Sequence, residues 1–212
     1  MTRATPTEIP PPVSEIPSER ISYEQFLNLP GPNHDVEWMD GRMIPMSPVT
    51  EPHENLRGLV HPVLRHFAEA HDLGRIYSEP FQMKTGPDLP GRAPDVLFIA
   101  NRNLGRLKRL CLEGPADLVV EIISPGSRAV DRGEKFYEYE QGGVPEYWLL
   151  DPERKTAEFY QRGSDGIYRP VQLDSQGVYR SRAMPGLWMK VEWFWQSPLP
   201  SILAVLREWK LV

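Results

Sequence analysis

Apolar positions recur along this chain in two periods. Over residues 52–71, Leu56, Leu59, Val60, Val63, Leu64, Phe67 and Ala68 fall three and four apart, the spacing that lines one face of a helix, and Gly74 marks its stop. Shorter runs at residues 75–84, 92–100, 117–124 and 146–150 read as strands. The run LVVEII within 117–124 has the near-continuous apolar character of a strand in the middle of a sheet. Between the last two strands, residues 128–141 form a charged helical pattern, with Ser127 as a candidate N-cap and Gly142-Gly143 as terminator. Upstream, Ser22 predicts the cap of a short helix ended by Pro30 and Gly31. Residues 36–39 and 42–46 flank Asp40-Gly41 and predict a hairpin with a two-residue turn. Beyond Asp151, KTAEFYQ, IYRPVQL and VYRSRA alternate between turn signals and predict an antiparallel meander. The aromatic PGLWMKVEWFW is expected to close the core, and residues 200–211 to form a C-terminal helix. This order predicts an α/β (α+β) fold: a mixed β-sheet flanked by helices, with an added antiparallel β meander at its C-terminal end.

Composition narrows the setting. Residues 1–20 hold five prolines and few bulky apolar groups, so they are expected to be a flexible tail, leaving residues 21–212 as one domain. The N-terminus lacks the apolar stretch of a signal peptide, and no apolar run approaches the roughly 20 residues of a membrane span, so a cytoplasmic location with no membrane partner is expected. Cys111 is the single cysteine, which leaves no intramolecular disulfide and no cysteine-based zinc site. A net charge of −5 weighs against tight nonspecific binding to nucleic acid, which phosphate neutralisation drives. A local basic patch can still sit on an acidic chain. Arg102, Arg106, Lys108 and Arg109 form a candidate phosphate-binding lip or, equally, a solvated charged loop.

The candidate chemistry lies in two apolar runs that each carry one carboxylate. Asp95 precedes VLFI, and Glu121 sits inside LVVEII. A buried carboxylate costs on the order of several kcal/mol unless it is paired, hydrogen-bonded or metal-bound. If the two strands pair, both acids converge on one face. Two carboxylates, a backbone carbonyl such as that of Ile122, and water suit Mg²⁺ or Mn²⁺. Such an ion can polarise a phosphodiester and activate water. Around this pair, Glu79 faces either the site or solvent, as does Glu37, for which solvent is the simpler reading. His53 marks the edge of a site at a helix N-terminus, whereas His61, His66 and His71 rotate around the helix axis and read as surface or boundary residues.

At this point the residues resemble a known family. Pro94-Asp95, Glu121 within VVEIIS, and SPGSRAVDRGEKFYEYEQGGVPEYWLLDP are similar to the Uma-two-like endonucleases of the PD-(D/E)XK, or restriction-endonuclease-like, superfamily. Trp38-Met39-Asp40-Gly41 and Met46-Ser47-Pro48 also resemble the family's opening hairpin, and the likeness spans about residues 21–195. It implies a restriction-endonuclease-like domain, DNA as substrate, and Asp95, Glu121 and a lysine as catalytic residues. One position departs from the pattern. The lysine belongs two residues after the acid, where this chain has Ile123. Lys135 on the following helix is the natural substitute, flanked by Asp131 and Tyr139 at i−4 and i+4, and Lys84 is the second candidate. An exposed Asp131–Lys135 helix pair is the plainer alternative for those two residues. A homodimer would let two sites cut two strands. The alternative function is a noncatalytic nuclease-fold protein that binds nucleic acid or a protein partner.

Overall fold

The computed structural model describes residues 20–29, 36–46 and 48–212. The expected tail at residues 1–19, the Pro30-Gly31 stop and Ser47 lie outside the described residues. Helix α1 (Tyr23–Leu27) starts from a capping box in which the Ser22 hydroxyl and the Gln25 side chain each satisfy the other residue's backbone N–H. Strands β1 (Val36–Met39) and β2 (Arg42–Pro45) form the expected hairpin, with Asp40 and Gly41 at φ of 47° and 81°. Both turn residues are in the left-handed region, as a two-residue hairpin turn requires. Helix α2 (Glu51–Ala70) buries the predicted apolar stripe.

Two predicted strands each prove to be two strands. The run at residues 75–84 divides into β3 (Gly74–Tyr77) and β4 (Gln82–Lys84). The run at residues 92–100 divides into β5 (Gly91–Arg92) and β6 (Val96–Ala100). The break falls at Glu79-Pro80 in one and at Pro94-Asp95 in the other, where a proline has no N–H to give to a ladder. At each break the chain crosses from one sheet to another. After β7 (Cys111–Glu113) come β8 (Leu118–Ile122), β9 (Glu146–Asp151), β10 (Thr156–Arg162) and β11 (Tyr168–Pro170). A five-stranded mixed sheet runs β2-β1-β5-β4-β7, and a six-stranded mixed sheet runs β11-β10-β9-β8-β6-β3. Cys111 is a buried strand residue paired with Gln82.

The predicted charged helix is also two. Helices α3 (Arg128–Arg132) and α4 (Glu134–Gly142) meet at Gly133, where a Cβ would stand 2.8 Å from the Ala129 carbonyl oxygen. Ser127 makes no side-chain cap, and its hydroxyl bonds instead with Ser124. The meander continues the six-stranded sheet only through β11. Strand β12 (Val178–Arg180) pairs with β13 (Trp188–Lys190) in a separate antiparallel hairpin. Helix α5 (Ile202–Glu208) ends the fold.

The six-stranded sheet buries both faces. On the first, Leu118, Val120 and Ile122 of β8 pack with α2, α5 and the β12–β13 hairpin, along with Trp193 and Phe194 of the predicted aromatic run. On the second, Val119 and Ile123 pack with Met83 and Leu112 of the five-stranded sheet and with Tyr139 of α4. Among the described residues, no helix is long and apolar enough to cross a membrane.

Candidate functional site at the seam between the sheets

Strands β6 and β8 pair antiparallel, with Val96 opposite Val120, Leu97 opposite Val119 and Phe98 opposite Leu118. Extending that register by one residue sets Asp95 opposite Glu121. Directly opposed residues of an antiparallel pair project to the same face. Asp95 stands just before β6, in the crossover from β5, and not inside a strand as the sequence suggested. Its Oδ2 accepts the Ile122 backbone N–H at 2.6 Å. Its Oδ1 lies 3.1 Å from His53 Nε2, so the two donors fix the carboxylate from β8 and from the first turn of α2. His53 is therefore a buried neighbour of Asp95; burial lowers its pKa, and the hydrogen bond and charge of that carboxylate outweigh burial and raise it above the ordinary histidine value.

Lys135 reaches the same face from α4. Its Nζ stands 3.1 Å from Glu121 Oε1 and 3.1 Å from Asp131 Oδ1, with Glu37 Oε1 at 3.7 Å. The Asp131–Lys135 pair is thus buried, not the exposed helix pair that its spacing allowed. Burial works against the Lys135 charge. Glu121, Glu37 and Asp131 outweigh it and hold the ammonium protonated well above the ordinary lysine range. Burial pushes the Glu121 carboxyl well up, Lys135 draws it down, and the nearby Asp131 and Asp95 charges add to the rise. Tyr139, one turn beyond Lys135, donates its hydroxyl to Glu121 Oε1 at 2.8 Å. The break at Gly133 aims this face of α4 at the seam while α3 keeps Asp131 within reach. Ile123, at the expected lysine position, is fully buried on the Glu121 side of β8.

Glu37 is buried, which corrects its reading as a solvent residue. Its Oε2 accepts from Arg92 Nη1 at 2.8 Å, and its Oε1 accepts the Ala93 N–H at 3.2 Å. Burial raises this carboxyl, but the Lys135 and Arg92 charges overcome that and leave it below the usual range. Sequence reasoning missed Arg92. Its guanidinium forks onto Glu138 with two bonds of 2.8 Å and ties β5 to α4. A readable signal existed: Glu134 and Glu138 bracket Lys135, and Glu138 shares the helix face of Asp131 and Lys135 at i+7 and i+3. Glu79, in the other crossover, pairs with Arg57 at 2.8 Å, and burial followed by the Asp95 charge raises its carboxyl.

Asp95, Glu121, Lys135, Asp131, Glu37, His53 and Glu79 all line one cavity of about 310 Å³ between the two sheets. Tyr139 lies behind its wall, bonded to Glu121. Two candidates are elsewhere. Lys84 Nζ bonds the Leu89 carbonyl and lies 4.4 Å over the Trp38 ring, away from the carboxylates. The basic loop leaves β6 at Ala100, the end opposite Asp95, and Arg102, Arg106, Lys108 and Arg109 do not line the cavity. Arg102 pairs with Asp117, Lys108 with Glu113 at 3.6 Å, and Arg106 bonds the Pro115 carbonyl at 2.9 Å.

The donor chemistry fits a hard divalent cation. Asp95 and Glu121 offer carboxylate oxygens, and Asp131 Oδ1 is a buried oxygen with an ion pair but no hydrogen bond. Among the described residues no ready-made group of three His, Cys, Asp or Glu ligands occurs. Magnesium sites are built in this sparse way, from one or two carboxylates completed by water.

A model of the Uma2 family, described as putative restriction endonuclease, matches residues 23–192. The chain belongs to the Uma2 family. A solved structure, a putative nuclease belonging to DUF820 from Anabaena variabilis, superimposes with a TM-score of 0.64 and 17% identity. The match covers 81% of this Uma2 chain and 96% of that one, and at this identity it speaks for the fold. No curated protein matches the chain.

Proposed function

We propose that this Uma2 protein is a metal-dependent endonuclease that hydrolyses DNA phosphodiester bonds at the seam between its sheets. The observation carrying this reading is the register that sets Asp95 opposite Glu121, with the Lys135 ammonium 3.1 Å from Glu121. Asp95, Glu121 and the Ile122 carbonyl would hold Mg²⁺ or Mn²⁺. When bound, such an ion polarises the phosphodiester and lowers the pKa of an attacking water. Lys135 stays protonated and can donate to a non-bridging phosphate oxygen as charge develops there, a role in which one preorganised donor contributes about 10²–10³ in rate. Tyr139 fixes the Glu121 carboxylate, His53 fixes that of Asp95, and Arg92 keeps Glu37 engaged so that Lys135 remains on Glu121.

The test is cleavage of circular DNA, both single-stranded and supercoiled, with Mg²⁺ or Mn²⁺. Wild type should cut, and Asp95→Ala and Glu121→Ala should not. Equal product from all three proteins would overturn the reading. Ile123 in the lysine position favours a second reading, a nuclease-fold protein that binds nucleic acid or a partner without cutting. Calorimetry separates the two. Mn²⁺ binding that disappears in Glu121→Ala supports the enzyme, and no binding supports the alternative.

A further inference from the structure

The cavity has two unlike walls. Asp95 and Glu121 lie at 6% and 2% exposure, so a phosphate that reaches them must enter the recess. The facing wall comes from the β1–β2 hairpin and the chain just beyond it. Glu37 pairs with Ile44 across the hairpin ladder, so both project to the same face. Met39 follows Glu37 by two residues and Met46 follows Ile44 by two, and all four line the cavity. Val49, 47% exposed, continues this wall toward the mouth. The hairpin thus presents one acid, tied up by Arg92, and a run of thioether and aliphatic groups.

A strand of DNA carries two chemistries at each step, an anionic phosphate and a flat heterocycle. In a duplex the bases are paired inside and the backbone faces outward, so an apolar wall beside the phosphate position would meet charged backbone. In an unpaired nucleotide the base is free to leave the phosphate's side and lie on that wall. Enzymes that take a base out of the stack hold it between apolar or aromatic side chains. A cavity of about 310 Å³ is at the small end of ligand pockets, suited to one nucleotide. Methionine side chains adapt to irregular partners, which suits any of the four bases.

We propose that the site accepts an unpaired nucleotide, with its phosphate at Asp95, Glu121 and Lys135 and its base against Met39, Ile44 and Met46. This rests on the nuclease reading and narrows it to single strands, flaps and bulges, with little preference among bases. The test is binding of the full chain, with Ca²⁺ in place of Mg²⁺ so that the phosphate meets a cation at the carboxylates, to labelled oligonucleotides followed by fluorescence anisotropy. The probes are a single strand, a blunt duplex, and the same duplex with one unpaired nucleotide. The single strand and the bulged duplex should bind at least about tenfold tighter than the blunt duplex, as expected when one base leaves water for an apolar wall. Ile44→Ser should remove most of that preference and leave duplex binding unchanged. Val49→Ser, at an exposed position, should do so more weakly and without risk to folding. Blunt duplex binding as tight as the others, or wall variants that weaken every probe alike, would overturn the proposal. Binding is read apart from cleavage. A chain that prefers the unpaired probe but cuts nothing keeps this inference and loses the nuclease reading, and one that cuts blunt duplex without preference does the reverse.

Discussion

The two faces of strand β8 solve opposite problems with adjacent residues. Toward α2, Leu118, Val120 and Ile122 join an apolar cluster with Val60, Leu64, Trp148 and Tyr179, beside which the buried acid Glu146 is bonded to the Trp148 indole and to backbone N–H groups. Toward α4, Val119 and Ile123 bracket Glu121, whose partners are Tyr139 and Lys135. The first face is held by volume and the second by matched charge. A defect on the first leaves a hole. A defect on the second leaves a charge, which a second mutation can cancel. That difference gives the faces distinct mutational signatures.

The largest effect is expected on the apolar face. Trp148 is fully buried, packs edge-on against Phe159 and Tyr179 with centroids at 5.3 and 5.2 Å, and donates its indole N–H to Glu146 at 2.8 Å. Trp148→Ala should cost about 3–5 kcal/mol. In urea the midpoint should fall while the slope stays that of wild type. No charge-removing change at Glu37 should restore it, since the residues belong to opposite sides of the sheet. Recovery by such a change would erase the distinction between the faces.

On the charged face the comparable test is Arg92→Met. It strands Glu37 beside Lys135 and frees Glu138, and removing one partner of a buried ion pair typically costs about 3–5 kcal/mol. Glu138 is more accessible and can turn toward water; Glu37 is buried and cannot. Glu37→Gln in the Arg92→Met background should therefore recover about 1 kcal/mol or more, a coupling that a double-mutant cycle in urea resolves. Additive losses would mean that Arg92 acts by filling space, like Trp148.

The same contrast explains what could be read in the sequence. The α2 stripe, the Asp40-Gly41 hairpin and the β8 run are legible because period and turn chemistry are local. Asp95 and Glu121 stand out as acids in apolar runs, and the family likeness adds the missing lysine at Ile123. What could not be read is which sheet a strand joins. Residues on either side of Pro80 and of Pro94 look like one strand, and only hydrogen bonds to distant partners assign them to different sheets. Burial of Glu37 is equally nonlocal, because its counter-charge Arg92 lies 55 residues away. Lys84 and Lys135 are equal candidates by residue type. They separate only when Trp38 is seen to take the first and Glu121 the second.

The smallest expected effect concerns where the site's positive charge can originate. Ile123 and Glu121 project from the same side of β8, and Lys135 enters that space from the helix opposite. If the charged face depends on having one ammonium among its acids, the element that supplies it is secondary. Lys135→Ala alone should lower cleavage by about 10²–10³. Adding Ile123→Lys returns an ammonium from the strand, but on a side chain whose reach was not shaped by this site, so recovery of about tenfold in rate is expected, corresponding to about 1.4 kcal/mol. Thermal melts of both variants show whether the transplanted lysine is tolerated, and with Lys135 absent it should be, because Glu121 and Asp131 are left without their cation. A double variant that folds as well as Lys135→Ala yet cuts no faster would mean that the α4 position itself matters. The charged face would then be as exacting in shape as the apolar one.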